Sequence, residues 1–239
     1  MKRLPLRYWL LCCITCLSYT LILVFMAFST DLQHTRYNTP VSTAGHINSM
    51  VYGFSILLSP FMGFMMDKFG KVLYVLSFGI CLLISGLLTI ALTDMPPYLG
   101  LCLIGVAYSC IPNAIWPCIP AICGEKMSGT AFGGVTGMNS VGLLLFPYLV
   151  GSLHDHFQSY TLPCIALACL AAIGLCIVIT LIILDKQQGG WINVTKLLFY
   201  FSFFQDGKSN PYHLLSEDLD YALNFQKDDS RSVSNDFDD

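Results

Sequence analysis

The sequence predicts an all-α polytopic membrane protein with six transmembrane helices, on three observations. Apolar residues make up 55% of the chain and charged residues only 11%, against about 25% charged in a soluble domain. Six apolar runs are long enough for a bilayer core, which takes roughly 20 residues per helix. None of these runs contains Asp, Glu, Lys or Arg, so the charges collect between them.

The first run, 8–29, follows Lys2, Arg3 and Arg7 and ends on Ala27-Phe28-Ser29, which resembles a signal cleavage site. Its apolar length, about 22 residues, exceeds the 7–15 of a secretory core, so it is read as a membrane helix. The second run, 44–66, opens near His46 and Asn48-Ser49, passes Pro60 and Gly63, and stops at Asp67. The third, 72–93, is apolar throughout. The fourth, 98–123, concentrates Pro112, Pro117 and Pro120. Each proline lacks an amide donor and frees a carbonyl, which eases a bend or offers an acceptor. The fifth, 130–152, is preceded by Gly129 and carries Gly133, Gly134 and Gly137, then Asn139-Ser140, Pro147 and Gly151. Small residues at this spacing let helices approach and slide. The sixth run is 162–184.

The expected organisation is a transmembrane bundle over 1–186 and an acidic, disordered cytosolic tail over 187–239. Within the tail, 197–204 is an aromatic patch too short to span, and Tyr212-His213-Leu214-Leu215 matches a tyrosine-based sorting pattern. All 11 cysteines fall inside the apolar runs, including Cys13-Ile14-Thr15-Cys16, and are read as small apolar helix residues. Six crossings put both termini on one side. Of the 12 Lys and Arg, only Arg36 then lies on the other side, so the positive-inside rule makes both termini cytosolic. Asn193-Val194-Thr195 is a sequon that this topology leaves unmodified.

A repeat is visible. Pro60-Phe61-Met62-Gly63-Phe64-Met65-Met66-Asp67 ends the second run, and Pro147-Tyr148-Leu149-Val150-Gly151-Ser152-Leu153-His154-Asp155 ends the fifth. An Asn-Ser pair precedes each. The second and fifth helices run in opposite directions, so helices one to three and four to six form two inverted three-helix repeats, an architecture of secondary transporters. In Gly63-x-x-x-Asp67-x-x-Gly70-Lys71, Gly63 is expected to allow close approach to a neighbouring helix. Asp67 is expected to meet the positive N-terminal end of the fifth helix, Gly70 to permit the turn, and Lys71 to complete a charge network.

That motif resembles the loop signature of the major facilitator superfamily, whose members have twelve helices in two halves. Ile47-Asn48-Ser49-Met50-Val51-Tyr52, Ser59-Pro60, Gly105-Val106-Ala107-Tyr108-Ser109, Ala114-Ile115-Trp116-Pro117, Gly129-Thr130-Ala131-Phe132-Gly133 and Gln188-Gly189-Gly190-Trp191-Ile192-Asn193 are similar to the C-terminal half of its lysosomal dipeptide-transporting branch. The resemblance covers roughly residues 44–193. It implies one half of a facilitator fold, moving dipeptides or similar small solutes from lysosome to cytosol by alternating access. The implied partners are the missing N-terminal half or a second copy, and a glycosylated lumenal accessory subunit. The other expectation is a truncated, non-transporting protein that binds or regulates a full-length carrier.

Polar groups inside lipid are costly and mark cavities or helix contacts. His46 is read as the only ionisable group near a span, and Tyr52, Asn113, Trp116 and Asn139 as cavity lining. The absence of an acidic residue or Arg within the spans leaves this half without a proton relay. No Ser-His-Asp set, metal-ligand cluster or phosphate loop has workable spacing, so no catalytic residue, metal or cofactor is expected. The net charge of −3 gives no reason to expect a nucleic-acid partner.

Overall fold

Six helices follow the six apolar runs, and most overshoot them: α1 (Leu6–Tyr37), α2 (Val41–Phe69), α3 (Val72–Leu92), α4 (Tyr98–Cys123), α5 (Ser128–Phe157) and α6 (Thr161–Gln187). This computed structural model describes residues 6–93, 97–123 and 127–187, apart from the side chains of Asp67, Phe69 and Gln187. The expectations for Lys126 and for 188–239 lie outside the described residues, as does the Asp67 side chain. All six helices are long and apolar enough to cross a membrane. The 32 residues of α1 rise about 48 Å against a hydrocarbon core of about 30 Å, so its last turns leave the apolar zone.

The turns have local causes. Gly70 closes α2 at φ 61°, in the left-handed region, with its N–H donating to Met66 O at 2.8 Å. A side chain there would be strained, and glycine removes the penalty. Gln158 ends α5 in the same way at φ 50°, with its N–H on His154 O at 2.7 Å. The prolines at 60, 112, 117, 120 and 147 all sit inside continuous helices.

Packing follows the inverted repeat except that the α5–α6 contact has no α2–α3 counterpart of similar extent. Exchanging α1 with α4, α2 with α5 and α3 with α6 turns the α3–α4 contact into α6–α1 and α2–α4 into α5–α1. It likewise turns α1–α2 into α4–α5, while α1–α4 and α3–α6 map onto themselves. Helix α1 lies innermost, with Leu11, Ile14, Leu21, Ile22 and Phe25 fully buried. Helices α2 and α5 are the least covered, with Ile56, Leu57, Leu144 and Tyr148 more than 70% exposed.

Two expectations need correction. The first concerns glycine. A Cβ on Gly63, Gly129, Gly133, Gly137 or Gly151 would meet nothing within 4 Å, so none of them serves close packing among the described helices. Of the expected series Gly134 does pack closely, its Cβ position meeting the Tyr8 hydroxyl of α1; otherwise close approach falls at Gly79, Gly86, Gly100 and Gly142, where a Cβ would collide with a neighbouring helix, and more mildly at Gly174. The second concerns charge. The side chain of Asp185 is fully buried, 3.8 Å from Arg7, and so joins the end of α6 to the start of α1. At the opposite end Arg36 Nη1 donates to Ile90 O at 2.5 Å and Ala91 O at 3.2 Å, capping α3 where a helix end favours a cation. Asp31 accepts from the Tyr160 hydroxyl. His46 is therefore one of several ionisable groups at the helix ends, and it is exposed. The physical reason is helix overshoot: the charges bounding an apolar run are wound into the same helix and folded against its neighbours.

Candidate functional site: an aromatic groove

Helices α1, α2, α4 and α5 bring five rings into one row. Tyr52 on α2 meets Tyr108 on α4 edge-on, with centroids 5.6 Å apart. Tyr108 stacks on Tyr19 of α1 at 6.3 Å and 7°. Tyr19 meets Trp116 of α4 edge-on at 6.4 Å, and Trp116 stacks on Phe132 of α5 at 6.0 Å. Such ring pairs stabilise by about 0.5–1.5 kcal/mol each beyond burial. Tyr52 is exposed and the other four rings are partly buried against the core, so the row lies along the core's rim, called the groove below.

Amides sit in the same wall. Asn113 Nδ2 donates to Ser59 Oγ and to Ser109 O, both at 2.7 Å. Ser109 O only accepts, which fixes the amide orientation and turns Oδ1 away from that bond. Thr20, next to Tyr19, donates to Asn139 Oδ1 at 2.5 Å. The two bonds join corresponding helix pairs of the inverted repeat, α4 to α2 and α1 to α5, with the amide on α4 in one and on α5 in the other.

Tyr52, Asn113, Trp116 and Asn139 thus lie on one set of neighbouring helices, tied through Tyr19 and Thr20. His46 touches none of the five rings; it stands near the start of α2, where the buried polar residue is Asn48. Asn48 Oδ1 accepts from Ser29 Oγ and Gln33 Nε2, each at 2.9 Å, and its Nδ2 donates to Thr30 Oγ1 at 2.8 Å. Gly70 forms the turn after α2, and Lys71 precedes α3. A cleft of about 550 Å³ lies along the far end of α5, lined by Tyr148, Gly151, Ser152, Asp155 and His156. It belongs to one helix and shares no residue with the ring row, so the row is the better-built site.

Sequence reasoning missed Tyr19, Tyr108, Phe132, Thr20 and Ser59. For Ser59, Tyr108 and Phe132 the signal was present but weak, each lying within a turn or two of a Gly, Pro or Asn; Tyr19 and Thr20 have no such neighbour in α1. Which of them converge depends on helix pairing, and α1 carries no motif that announces its position at the centre.

A six-helix bundle of two inverted triplets, with a polar aromatic groove on the faces of α1, α2, α4 and α5, defines the half-bundle of a membrane carrier. The chain belongs to the Major Facilitator Superfamily, whose sequence pattern matches residues 8–208. It is 28% identical over 193 residues to the lysosomal dipeptide transporter MFSD1 of Homo sapiens, covering 80% of this chain and 41% of that protein. With MFSD1 of Danio rerio the identity is 31% over 196 residues, covering 81% and 42%. The multidrug resistance protein MdtG of Escherichia fergusonii is 27% identical over 192 residues, covering 78% and 45%. The chain therefore spans less than half the length of these relatives.

Proposed function

We propose that the chain acts as the C-terminal half of a facilitator-type carrier, moving dipeptides or similar small solutes from the lysosome lumen to the cytosol by alternating access. The observation that carries this reading is the ring row Tyr52–Tyr108–Tyr19–Trp116–Phe132. It is a neutral, aromatic and amide-bearing wall on the four helices that leave one side of the bundle open. Flat rings with a polar tip suit peptide planes and side chains of varied size. The likeness to dipeptide transporters supports the solute class, and the likeness to MdtG supports transport more broadly.

In this reading Tyr52, Asn113, Trp116 and Asn139 line the cavity, with His46 near its lumenal mouth. The loop Gly63-x-x-x-Asp67-x-x-Gly70-Lys71 gates the cytosolic side, and the uncovered faces of α2 and α5 meet a second six-helix body. The prolines and the exposed glycines of α5 let helices bend and slide against that body. Both termini are cytosolic, the acidic segment 187–239 is a cytosolic tail, and a glycosylated lumenal subunit is a further partner.

Flux in proteoliposomes tests this. The chain alone gives no saturable dipeptide uptake, co-reconstitution with the N-terminal half of a relative gives it, and Trp116→Ala lowers it at least tenfold. Saturable flux by the chain alone refutes the half-carrier reading. Absence of dipeptide flux from the assembled pair refutes the solute class.

A further inference from the structure

The prolines of α4 are placed in a way that bending alone does not require. In a continuous helix, a proline leaves the carbonyl four residues earlier without its N–H partner. Pro112 releases Tyr108 O, Pro117 releases Asn113 O and Pro120 releases Trp116 O. The three carbonyls set free belong to the three groove residues of α4.

The face agrees. Pro112, Asn113, Trp116, Pro117 and Pro120 are all half-exposed. Ile111, Ala114, Ile115, Cys118 and Ile119 are buried at 2% exposure or less. A helical carbonyl points along the line from its own residue toward the residue four positions on. Both members of each pair, 108 with 112, 113 with 117 and 116 with 120, lie on the groove side. Asn113 Oδ1 adds a fourth acceptor, because both hydrogen bonds of that amide leave from Nδ2.

Spacing limits what such acceptors can hold. At 1.5 Å of rise per residue, the Asn113 and Trp116 carbonyls stand about 4.5 Å apart along the axis, and Tyr108 about 7.5 Å from Asn113. The Tyr108 and Trp116 carbonyls, about 12 Å apart along the axis, cannot share one calcium-like cation with ligands at 2.3–2.6 Å. The released carbonyls do match separate N–H groups along an extended chain, where neighbouring residues repeat every ~3.3–3.6 Å. The faces of Tyr19, Tyr108 and Trp116 beside them favour a positive charge.

Building on the carrier reading above, we propose that the proline-bearing face of α4 is the wall that binds the amino end of a short peptide. The protonated amine and the first amide N–H donate to the released carbonyls of Asn113 and Trp116 and to Asn113 Oδ1. The rings of Tyr19, Tyr108 and Trp116 border the charge. The positive end is thereby read without any acidic side chain.

The test is binding to the full chain in lipid nanodiscs, read by Trp116 fluorescence in a Trp9→Phe, Trp191→Phe background. Alanyl-alanine is compared with N-acetyl-alanyl-alanine, which lacks the ammonium. An N-acetyl peptide carrying lysine serves as a third ligand, to separate a terminal amine from a side-chain amine. The free dipeptide binds at least tenfold more tightly than its acetylated form, the weight of a charge-assisted hydrogen bond. In Pro112→Ala/Pro117→Ala/Pro120→Ala the restored N–H groups recapture the carbonyls and that preference collapses, while the unfolding temperature does not fall. Pro117→Ala alone gives part of the effect. Equal binding of free and acetylated dipeptides in the parent chain, or a preference that survives the triple substitution, overturns the proposal but leaves the dipeptide reading intact. A lysine side chain that fully restores binding to an acetylated peptide overturns the assignment to the amino end. Binding of neither dipeptide, by the chain alone and by the chain co-reconstituted with the N-terminal half of a relative, overturns both readings.

Discussion

Gly86→Ala is expected to loosen the bundle, whereas Gly63→Ala is not. A Cβ on Gly86 of α3 would lie 2.9 Å from Gly100 O and 2.8 Å from Ile104 Cγ1 of α4. Carbon pairs rest at about 3.5–4.0 Å, so the two helices would separate by about 0.7 Å or more. The carbonyl is backbone and cannot rotate away. Overpacking of this kind costs typically 1–3 kcal/mol. Alanine regains up to about 1 kcal/mol over glycine in helix propensity, which leaves a net loss of about 1–2 kcal/mol. For a chain of this size that lowers the unfolding temperature by about 2–8 °C. At Gly63 nothing lies within 4 Å of the added methyl, so only the propensity gain remains. A thiol-reactive fluorogenic dye provides the assay, because the thiols of Cys12, Cys16, Cys110 and Cys164 are buried and label only as the bundle opens. A Gly86→Ala chain that melts at or above the parent temperature, or a Gly63→Ala chain that melts well below it, would refute the packing assignment.

Other outcomes follow from the polar contacts and the topology. Arg7→Leu destabilises the bundle because it removes a cation beside the buried Asp185, and Arg7→Leu with Asp185→Leu costs less than the sum of the two single changes; additive costs in the same melt contradict the pairing. Asn48→Leu removes the acceptor for Ser29 and Gln33, leaving buried donors unpaired at about 1–3 kcal/mol each, and speeds amide exchange in the last turns of α1. Unchanged exchange there rules out Asn48 as the tie between α1 and α2. If Asp67 gates the cytosolic side, Asp67→Asn in a Ser128→Cys chain raises the labelling rate of that cysteine without impairing insertion; an equal rate reduces the motif to an ordinary turn. Tags at the two ends are both reached from the cytosolic face, and protection of either in the lumen excludes six crossings.

Much of the fold was legible because bilayer thickness dictates run length and charge interrupts each run. The inverted repeat showed itself through matched Asn, Pro and Gly positions. The packing glycines did not. Gly86 and Gly100 sit in unremarkable apolar stretches, and only the crossing of α3 over α4 makes them contacts. Gly129, Gly133 and Gly137 form the more eye-catching series, yet they face away from the other described helices. The same asymmetry holds for the site. Trp116, Asn113 and Asn139 stand out in lipid because they are polar. Tyr19 and Tyr108, which join them, read as ordinary aromatic residues until α1 and α4 are brought together. Charge was misjudged for a simpler reason: Asp185 bounds an apolar run, and a boundary looks solvent-exposed until the helix end packs against Arg7.

The two polar pairs bear on what covers the groove. The Asn113–Ser59 and Thr20–Asn139 bonds tie α4 to α2 and α1 to α5, so each outer groove helix is clamped to an inner helix of the other repeat. A clamped pair moves as a body, which suits rocking of the whole half better than sliding of single helices within it. These bonds also leave part of the amide capacity unused. Asn113 keeps an acceptor, α4 exposes released carbonyls, and Tyr52 is 41% exposed. Hydrocarbon offers no partner to such groups, and each would cost about 1–3 kcal/mol against lipid. The outward faces of α3 and α6 make no comparable demand: the exposed large hydrophobic residues there include Phe78, Ile173, Ile179 and Ile183. Helices α2 and α5 also expose Phe54, Ile56, Leu57, Phe61, Leu144 and Leu145, so the polar demand is local to the ring row and its amides. A groove held rigid by its own clamps, and unable to rest against lipid, is suited to solute that arrives from water.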